Sequence, residues 1–427
     1  MKICAISFHC CPLSPVGGDG VGGMNVYLKE LSTALACDPG TEIDIFTRDW
    51  NSSKVGIKRV MPNVRVIHLP AGPKCFVDRK SLYGYLPEFE ENLKRFMGKE
   101  KKTYDVIYSH YWLSGLAGEY LKHYFNIPLV HTYHTLAFLK NRVSNEPEHR
   151  NRVLTERHLS HAADLIISSS SEEKRNLMGE FGVSQKKIKV IYPGVNHNLF
   201  YPSRTKTAFQ ETGFSEDDKI LLYVGRVEPI KGLMTIIEAF AILNKSRNPL
   251  SKKLKLIVIG GGKKDSELSY NPEAKRIKAA VETSGLKEKI VFLGSKEQAA
   301  LKEFYSAADV LIVPSLYESF GLVVVEALAC GTPVLVSKVG KMRTIVKEGK
   351  NGFSFAPGSP KVLANGIKEF FQKKDLLWEE AKIRQDIIDR FSWDKTGRET
   401  HRVFAGLKHE KILSTTEFRP DEIPQLV

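Results

Sequence analysis

The sequence predicts an α/β protein built from two doubly wound domains, each a parallel sheet covered by helices on both faces. Short apolar runs bounded by turn formers alternate with longer amphipathic stretches along the whole chain, the pattern of parallel strands joined by crossover helices. The 427 residues exceed one ordinary core and suit two of about 200 residues each. A stretch dense in turn formers, YPGVNHNLFYP from Tyr192 to Pro202, divides them into residues 1–198 and 199–395.

Composition narrows the class. A hydrophobic fraction of 42% with 26% charged residues is that of a globular protein. The net charge of +14 points to anionic partners: a nucleotide sugar, a phosphorylated small molecule, nucleic acid or an acidic membrane surface. The 63 lysines and arginines are spread along the chain with no basic, aromatic module, which argues against nucleic acid. Six cysteines without metal-ligand spacing read as reduced thiols of a cytoplasmic protein. The opening MKICAISFHCCP has too short an apolar run for a signal peptide and fits a first buried strand. No run reaches the roughly 18 apolar residues of a membrane span, so membrane contact is limited to the periphery. A homodimer is the default assembly.

In the first half, strands are expected at Ile3–Phe8, Ile43–Thr47, Val64–Leu69, Val106–Ser109, Leu129–Thr132, Leu165–Ser168 and Lys189–Tyr192. Gly18, Gly20 and Gly23 after the first strand satisfy G-x-G-x-x-G, the nicotinamide-dehydrogenase signature. Nine residues, two of them prolines, separate Phe8 from Gly18, whereas a dinucleotide fold needs the glycines at the strand end. The loop better suits a cover over a cleft, ending where Gly22 and Gly23 start a helix aimed at a phosphate.

In the second half, strands are expected at Ile220–Val224, Leu254–Ile259, Ile290–Leu293, Val310–Val313 and Val334–Val336. Arg226 and Lys231 follow the first of these, where ligands of such sheets bind. The stretch VPSLYESFGLVVVEALACGTP, Val313 to Pro333, is a strand, a polar loop and a helix that begins near Leu322 and stops at Gly331. Glu318 precedes that helix and Glu326 lies in its second turn. The backbone N–H groups from Ser319 to Gly321, Phe320 included, make an anion site between the two carboxylates. A sugar diphosphate has the matching parts, hydroxyls for the carboxylates and phosphates for the N–H groups.

This stretch resembles the donor motif of the retaining glycosyltransferases of family 4, which have the GT-B architecture of two facing Rossmann-like domains. GGMNVYLKELSTAL, SHYWLSG and HTYHTLAFLKN are similar to the D-inositol 3-phosphate glycosyltransferases of mycothiol synthesis, and the region from Ala71 to Phe89 also resembles sucrose-phosphate synthases. The resemblance implies transfer of GlcNAc or glucose from a UDP-sugar to a phosphorylated polyol or sugar, either inositol 3-phosphate or fructose 6-phosphate. Configuration would be retained and no cofactor or divalent metal would be essential.

By the same resemblance, Glu318 holds donor hydroxyls, Glu326 the ribose, and Arg226 and Lys231 the diphosphate. Gly294 lies at the base, and Gly22 and Gly23 cover the donor. His134 lies beside the donor sugar with its carbonyl toward the reacting face, and His9 lines the glycine-loop side. Asn25 contacts the acceptor ring, while Lys80, Tyr111, Thr135 and Arg152 surround its phosphate. A last helix, about 396–413, crosses back to the first domain, and the tail from Ser414 is expected to dock weakly. A nucleotide-sugar epimerase on the same fold is the rival class, separable because its nucleotide release needs no acceptor.

Overall fold

In the computed structural model, which describes residues 1–14, 22–49, 55–144, 146–203, 207–246, 249–262 and 271–416, the apolar runs pair into two sheets. The first contains β1 (Lys2–Ile6), β2 (Glu42–Asp49), β3 (Gly56–Met61), β4 (Val64–Pro70), β5 (Val106–His110), β6 (Leu129–Thr132), β7 (Leu165–Ser168) and β8 (Ile188–Val190). Their order is β3-β4-β2-β1-β5-β6-β7-β8, parallel except at β3. The second contains β9 (Lys219–Val224), β10 (Leu254–Ile259), β11 (Ile290–Phe292), β12 (Val310–Val313), β13 (Val334–Ser337) and β14 (Gly352–Phe355), in the order β11-β10-β9-β12-β13-β14 and parallel throughout. Central strands such as β1, β5 and β12 are buried on both faces, which is why they read as unbroken apolar runs.

Strand order reverses between β1 and β5 in one sheet and between β9 and β12 in the other. Crevices outside the carboxyl ends of strands open at such switch points. The segments after these strands carry His9, Tyr111, Arg226 and Glu318, so topology brings each to the carboxyl edge of its own sheet.

Two strands escape the sequence reading. β3 is an exposed edge bearing Lys58 and Arg59, with no buried face to impose alternation. β14, GFSF, is four residues long and half-buried.

The last helix, Trp393–Thr416, is longer than expected and returns to the first domain. Trp393 meets the Tyr27 ring at 5.6 Å, Phe404 meets Tyr108 at 5.2 Å, and the Thr396 hydroxyl donates to the Tyr192 carbonyl at 2.8 Å. Gly397 permits the approach: a Cβ there would stand 2.9 Å from that of Ala34, on helix Gly23–Ala36. Beyond Thr416 the tail lies outside the described residues, as do Gly18 and Gly20. Among the described residues, no helix is long and apolar enough to cross a membrane.

Candidate active site

A cleft of about 650 Å³ runs between the carboxyl edges of the two sheets. On the second-domain wall, β12 leads through Tyr317 and Glu318 into helix Leu322–Ala329, whose N-cap Gly321 has φ +96°. Lys231 reaches Glu318 at 2.5 Å, so a cation and a carboxylate stand together at the helix N-terminus. Arg226 lies beside them, its guanidinium on Glu228 at 2.5 Å. Glu326 is buried one turn deeper and accepts from the Tyr305 hydroxyl at 2.8 Å and the Gln298 amide at 3.2 Å. Burial pushes its carboxyl up to about 7 against those two bonds.

Gly340 fixes this loop from behind. Its φ is +51°, and a Cβ there would stand 1.7 Å from the Glu318 carbonyl oxygen, so any side chain displaces the loop. Gly340→Ala is expected to lower turnover about 10²-fold, the cost of misplacing a reacting geometry by about 1 Å. Steady-state rates with circular dichroism check this; a folded variant of undiminished rate would refute it.

The first-domain wall carries the other charge cluster. Arg152 is buried and donates to Glu156 at 2.8 Å, Glu148 at 2.9 Å, and the carbonyl and hydroxyl of Thr135 at 3.0 and 2.9 Å. Its guanidinium also lies over the Tyr111 ring at 4.6 Å. Lys140 pairs with Glu148. Burial pushes Glu156 up to about 7; burial would also raise Glu148, but Arg152 and Lys140 outweigh it and hold that carboxyl down to about 2. His9 stacks near Tyr111, ring centres 4.6 Å apart, and is kept neutral first by burial and then by Arg79, His134 and Arg152.

His134 joins the walls. It takes a left-handed backbone, φ +61°, and its carbonyl accepts the Ser319 hydroxyl at 2.7 Å across the cleft. The Leu136 N–H donates to the Tyr317 hydroxyl at 3.0 Å, a second bond between the domains.

The structure gathers most of the expected residues on this cleft: His9, Gly22, Gly23, Tyr111, His134, Thr135, Arg152, Arg226, Lys231, Glu318, Ser319, Phe320, Gly321 and Glu326. Three stand elsewhere. Lys80 is exposed, its backbone N–H donating to the Asp78 carboxylate at 3.0 Å, and Arg79 lines the cleft instead. Asn25 is buried behind the wall, its amide donating to the Cys11 carbonyl at 2.7 Å and to Cys10 sulfur at 2.9 Å. Gly294 is a support, its carbonyl accepting from the Gly260 N–H at 2.8 Å, while Ser295 and Lys296 reach the cleft. Sequence reasoning missed Gln298 and Tyr305, the partners of Glu326, because nothing in a helix pattern marks which polar face meets a buried acid. It also missed Glu148 and Glu156, each four residues from Arg152, Glu156 on the same helix and Glu148 just before its N-cap, a spacing that was the available signal.

Comparisons with known proteins place the chain. Residues 21–199 match the profile described as Glycosyltransferase Family 4, and residues 204–389 that of Glycosyl transferases group 1. The D-inositol 3-phosphate glycosyltransferase of Corynebacterium glutamicum (strain R) is 36% identical over 415 residues, 95% of this chain and 96% of that one. Its counterpart from Xylanimonas cellulosilytica is 34% identical over the same shares. Among solved structures, the sucrose-phosphate synthase of Thermosynechococcus elongatus superposes with a TM-score of 0.85 at 32% identity, covering 96% of this chain and 99% of its own. Anabaena Alr3699/HepE, in complex with UDP and glucose, shares the fold at 21% identity with a TM-score of 0.71, covering 95% of this chain and 100% of its own.

Proposed function

The chain belongs to glycosyltransferase family 4, and on that premise we propose that it moves a glucose or GlcNAc unit from a UDP-sugar to a phosphorylated polyol or sugar. The observation that carries this reading is a cation-lined pocket on each wall of one cleft, Arg226 and Lys231 facing Arg79 and Arg152. One pocket suits a diphosphate at a helix N-terminus; the other suits a phosphate dianion, with a planar guanidinium and the hydroxyls of Thr135 and Tyr111 beside it.

Transfer proceeds on one face of the sugar. The bond from the anomeric carbon to the UDP oxygen breaks, the acceptor oxygen bonds the same carbon from the same side, and the acceptor proton passes to the departing phosphate. Configuration is retained. Arg226, Lys231 and the N-terminus of helix Leu322–Ala329 stabilise the charge on the leaving group, the task a divalent metal performs in other transferases. Glu318, tied to Lys231, holds sugar hydroxyls rather than attacking. Addition of a chelator is therefore expected to leave the rate unchanged. The six free cysteines support a reducing, cytoplasmic setting, where nucleotide sugars are made.

Nucleotide release from UDP-GlcNAc and from UDP-glucose, each alone and with inositol 3-phosphate or fructose 6-phosphate, tests the reading. Release that needs one phosphorylated acceptor is expected. Release from the sugar nucleotide alone would favour hydrolysis or epimerisation and sink it.

The buried Glu326 sets a pH dependence. Its folded value of about 7 means that the free enzyme carries a proton there at lower pH, whereas two ribose hydroxyls bind best to the ionised form. KM for the sugar nucleotide is expected to rise up to tenfold per unit as pH falls below about 7, and Glu326→Gln to flatten the profile. The stability effect has the opposite sign. A carboxyl raised above its unfolded value stabilises most below about 4.5, and that contribution is lost as pH rises through about 7.

A further inference from the structure

His110 ends β5, fully buried beside His134, which lines the cleft; its Nδ1 lies 3.0 Å from Nε2 of His134. We propose that His110 is a positioning residue that fixes the tautomer of His134, leaving the His134 Nδ1–H as a hydrogen-bond donor toward the bound sugar. This rests on the transfer reading for what occupies the cleft, and on the geometry of this chain for the rest.

A neutral imidazole carries one N–H, and one proton must lie between the facing nitrogens for them to bond. Burial holds both rings neutral, pushing His134 down to about 3 and His110 well below the ordinary value. Two arrangements remain. If His134 donated from Nε2, the N–H of His110 would sit on its own Nε2, which is sealed from solvent and has no hydrogen-bond partner. An orphaned N–H in the core is costlier and rarer than an orphaned lone pair. With the proton on His110 Nδ1, the unpaired Nε2 is only a lone pair, His134 Nε2 accepts, and the His134 proton is driven to Nδ1. His134 lines the cleft, and its Nδ1 is not among the sealed, unpaired atoms, so that N–H is open to a substrate.

The surroundings hold the pair in this register. Tyr27 meets His134 edge-on at 5.0 Å and His110 at 5.9 Å, and Tyr108 packs against His110 at 4.2 Å. The Tyr27 hydroxyl bonds that of Tyr108 at 3.0 Å, which bonds Thr132 at 2.9 Å, so the rings that frame the two histidines are themselves fastened. The backbone of His134 is pinned separately, through Ser319 on its carbonyl. Carbonyl and imidazole are thus oriented by different partners, one from each domain.

Long-range proton–nitrogen NMR of the histidine rings in the free protein tests the tautomer without substrate, with His110→Phe and His134→Gln to assign the signals. Protons on Nδ1 of both residues are expected. A proton on Nε2 of His134, with that of His110 directed at the Tyr108 ring, would overturn the proposal. In kinetics, His110→Phe keeps the ring volume and is expected to lower kcat/KM for the sugar nucleotide about tenfold, the worth of one hydrogen bond. His110→Asn, whose amide N–H falls near the position of Nδ1–H, is expected to recover most of that loss. Equal losses in the two variants, or a loss in His110→Phe that only tracks its melting temperature, would reduce His110 to a packing residue. Should no sugar nucleotide react at all, the transfer reading fails while the NMR result still decides the tautomer.

Discussion

Lys231→Ala is expected to lower kcat about 10³-fold while the protein stays folded. Lys231 stands 2.5 Å from Glu318 at the N-terminus of helix Leu322–Ala329, where the leaving phosphate acquires charge in the proposed transfer. A preorganised charge aimed at such a group is worth about 10²–10³ in rate, and the loss falls on kcat because the charge develops in the transition state. Stability should change little, since both partners are about one-fifth exposed and solvent screens the pair. Lys231→Arg restores charge but replaces a compact ammonium by a planar fork, and is expected to recover only part of the rate. Rapid-quench turnover beside a thermal melt separates the two quantities. A variant that keeps full kcat would remove Lys231 from the mechanism.

Arg152→Ala is expected to show the reverse balance. Arg152 is the only guanidinium described against Glu156, whose side chain is wholly buried, and it also contacts Glu148 and Thr135. Removing one member of a buried pair strands the other, at about 3–5 kcal/mol. For a domain of this size that is a fall in melting temperature on the order of 10 °C. KM for a phosphorylated acceptor should rise in the same variant, and Arg152→Lys should recover more stability than acceptor affinity. An unchanged melting temperature would mean that the buried network contributes nothing. Glu148 supplies an acid signature as well. Its folded value is depressed to about 2, so its contribution is complete above about 4.5 and is lost as pH falls toward 2. Arg152→Ala should flatten that part of the stability profile.

The architecture was legible because doubly buried strands announce themselves. β1, β5, β9, β10, β12 and β13 are apolar runs that have no other use, and Gly331 with Pro333 closes the helix after β12 as a stop signal should. β3 was hidden because an edge strand with both faces exposed carries no alternation, and β14 because four residues with a glycine fall below any periodic signal. In the cleft, the motif around Glu318 and Glu326 was readable from a strand, a loop and a helix in fixed succession. Which of two adjacent cations enters the cleft was not. Arg79 lines the cleft and Lys80 is exposed, and residue type says nothing about which of two neighbouring side chains turns inward. The contacts of Asn25 were equally unreadable: as the third residue of helix Gly23–Ala36 it accepts from the Gly22 N–H at 3.3 Å and bonds the cysteines after β1. His110 went unremarked because its contact with His134 joins two strand ends far apart in sequence, which no local pattern reveals.

The return of helix Trp393–Thr416 to the first domain has a bearing on how the protein is made. Trp393 and Phe404 belong to the same apolar cluster as Ile3, Ala5, Tyr27 and Tyr108. A nascent chain that has released residues 1–198 therefore presents a sheet face whose covering is still unwritten. At ordinary elongation rates the missing helix follows roughly ten to forty seconds later. During that interval part of the apolar cluster around Tyr27 and Tyr108 lacks its partners Trp393 and Phe404, which follow only after the second domain has emerged. The first domain therefore completes its packing only once the whole chain has been made.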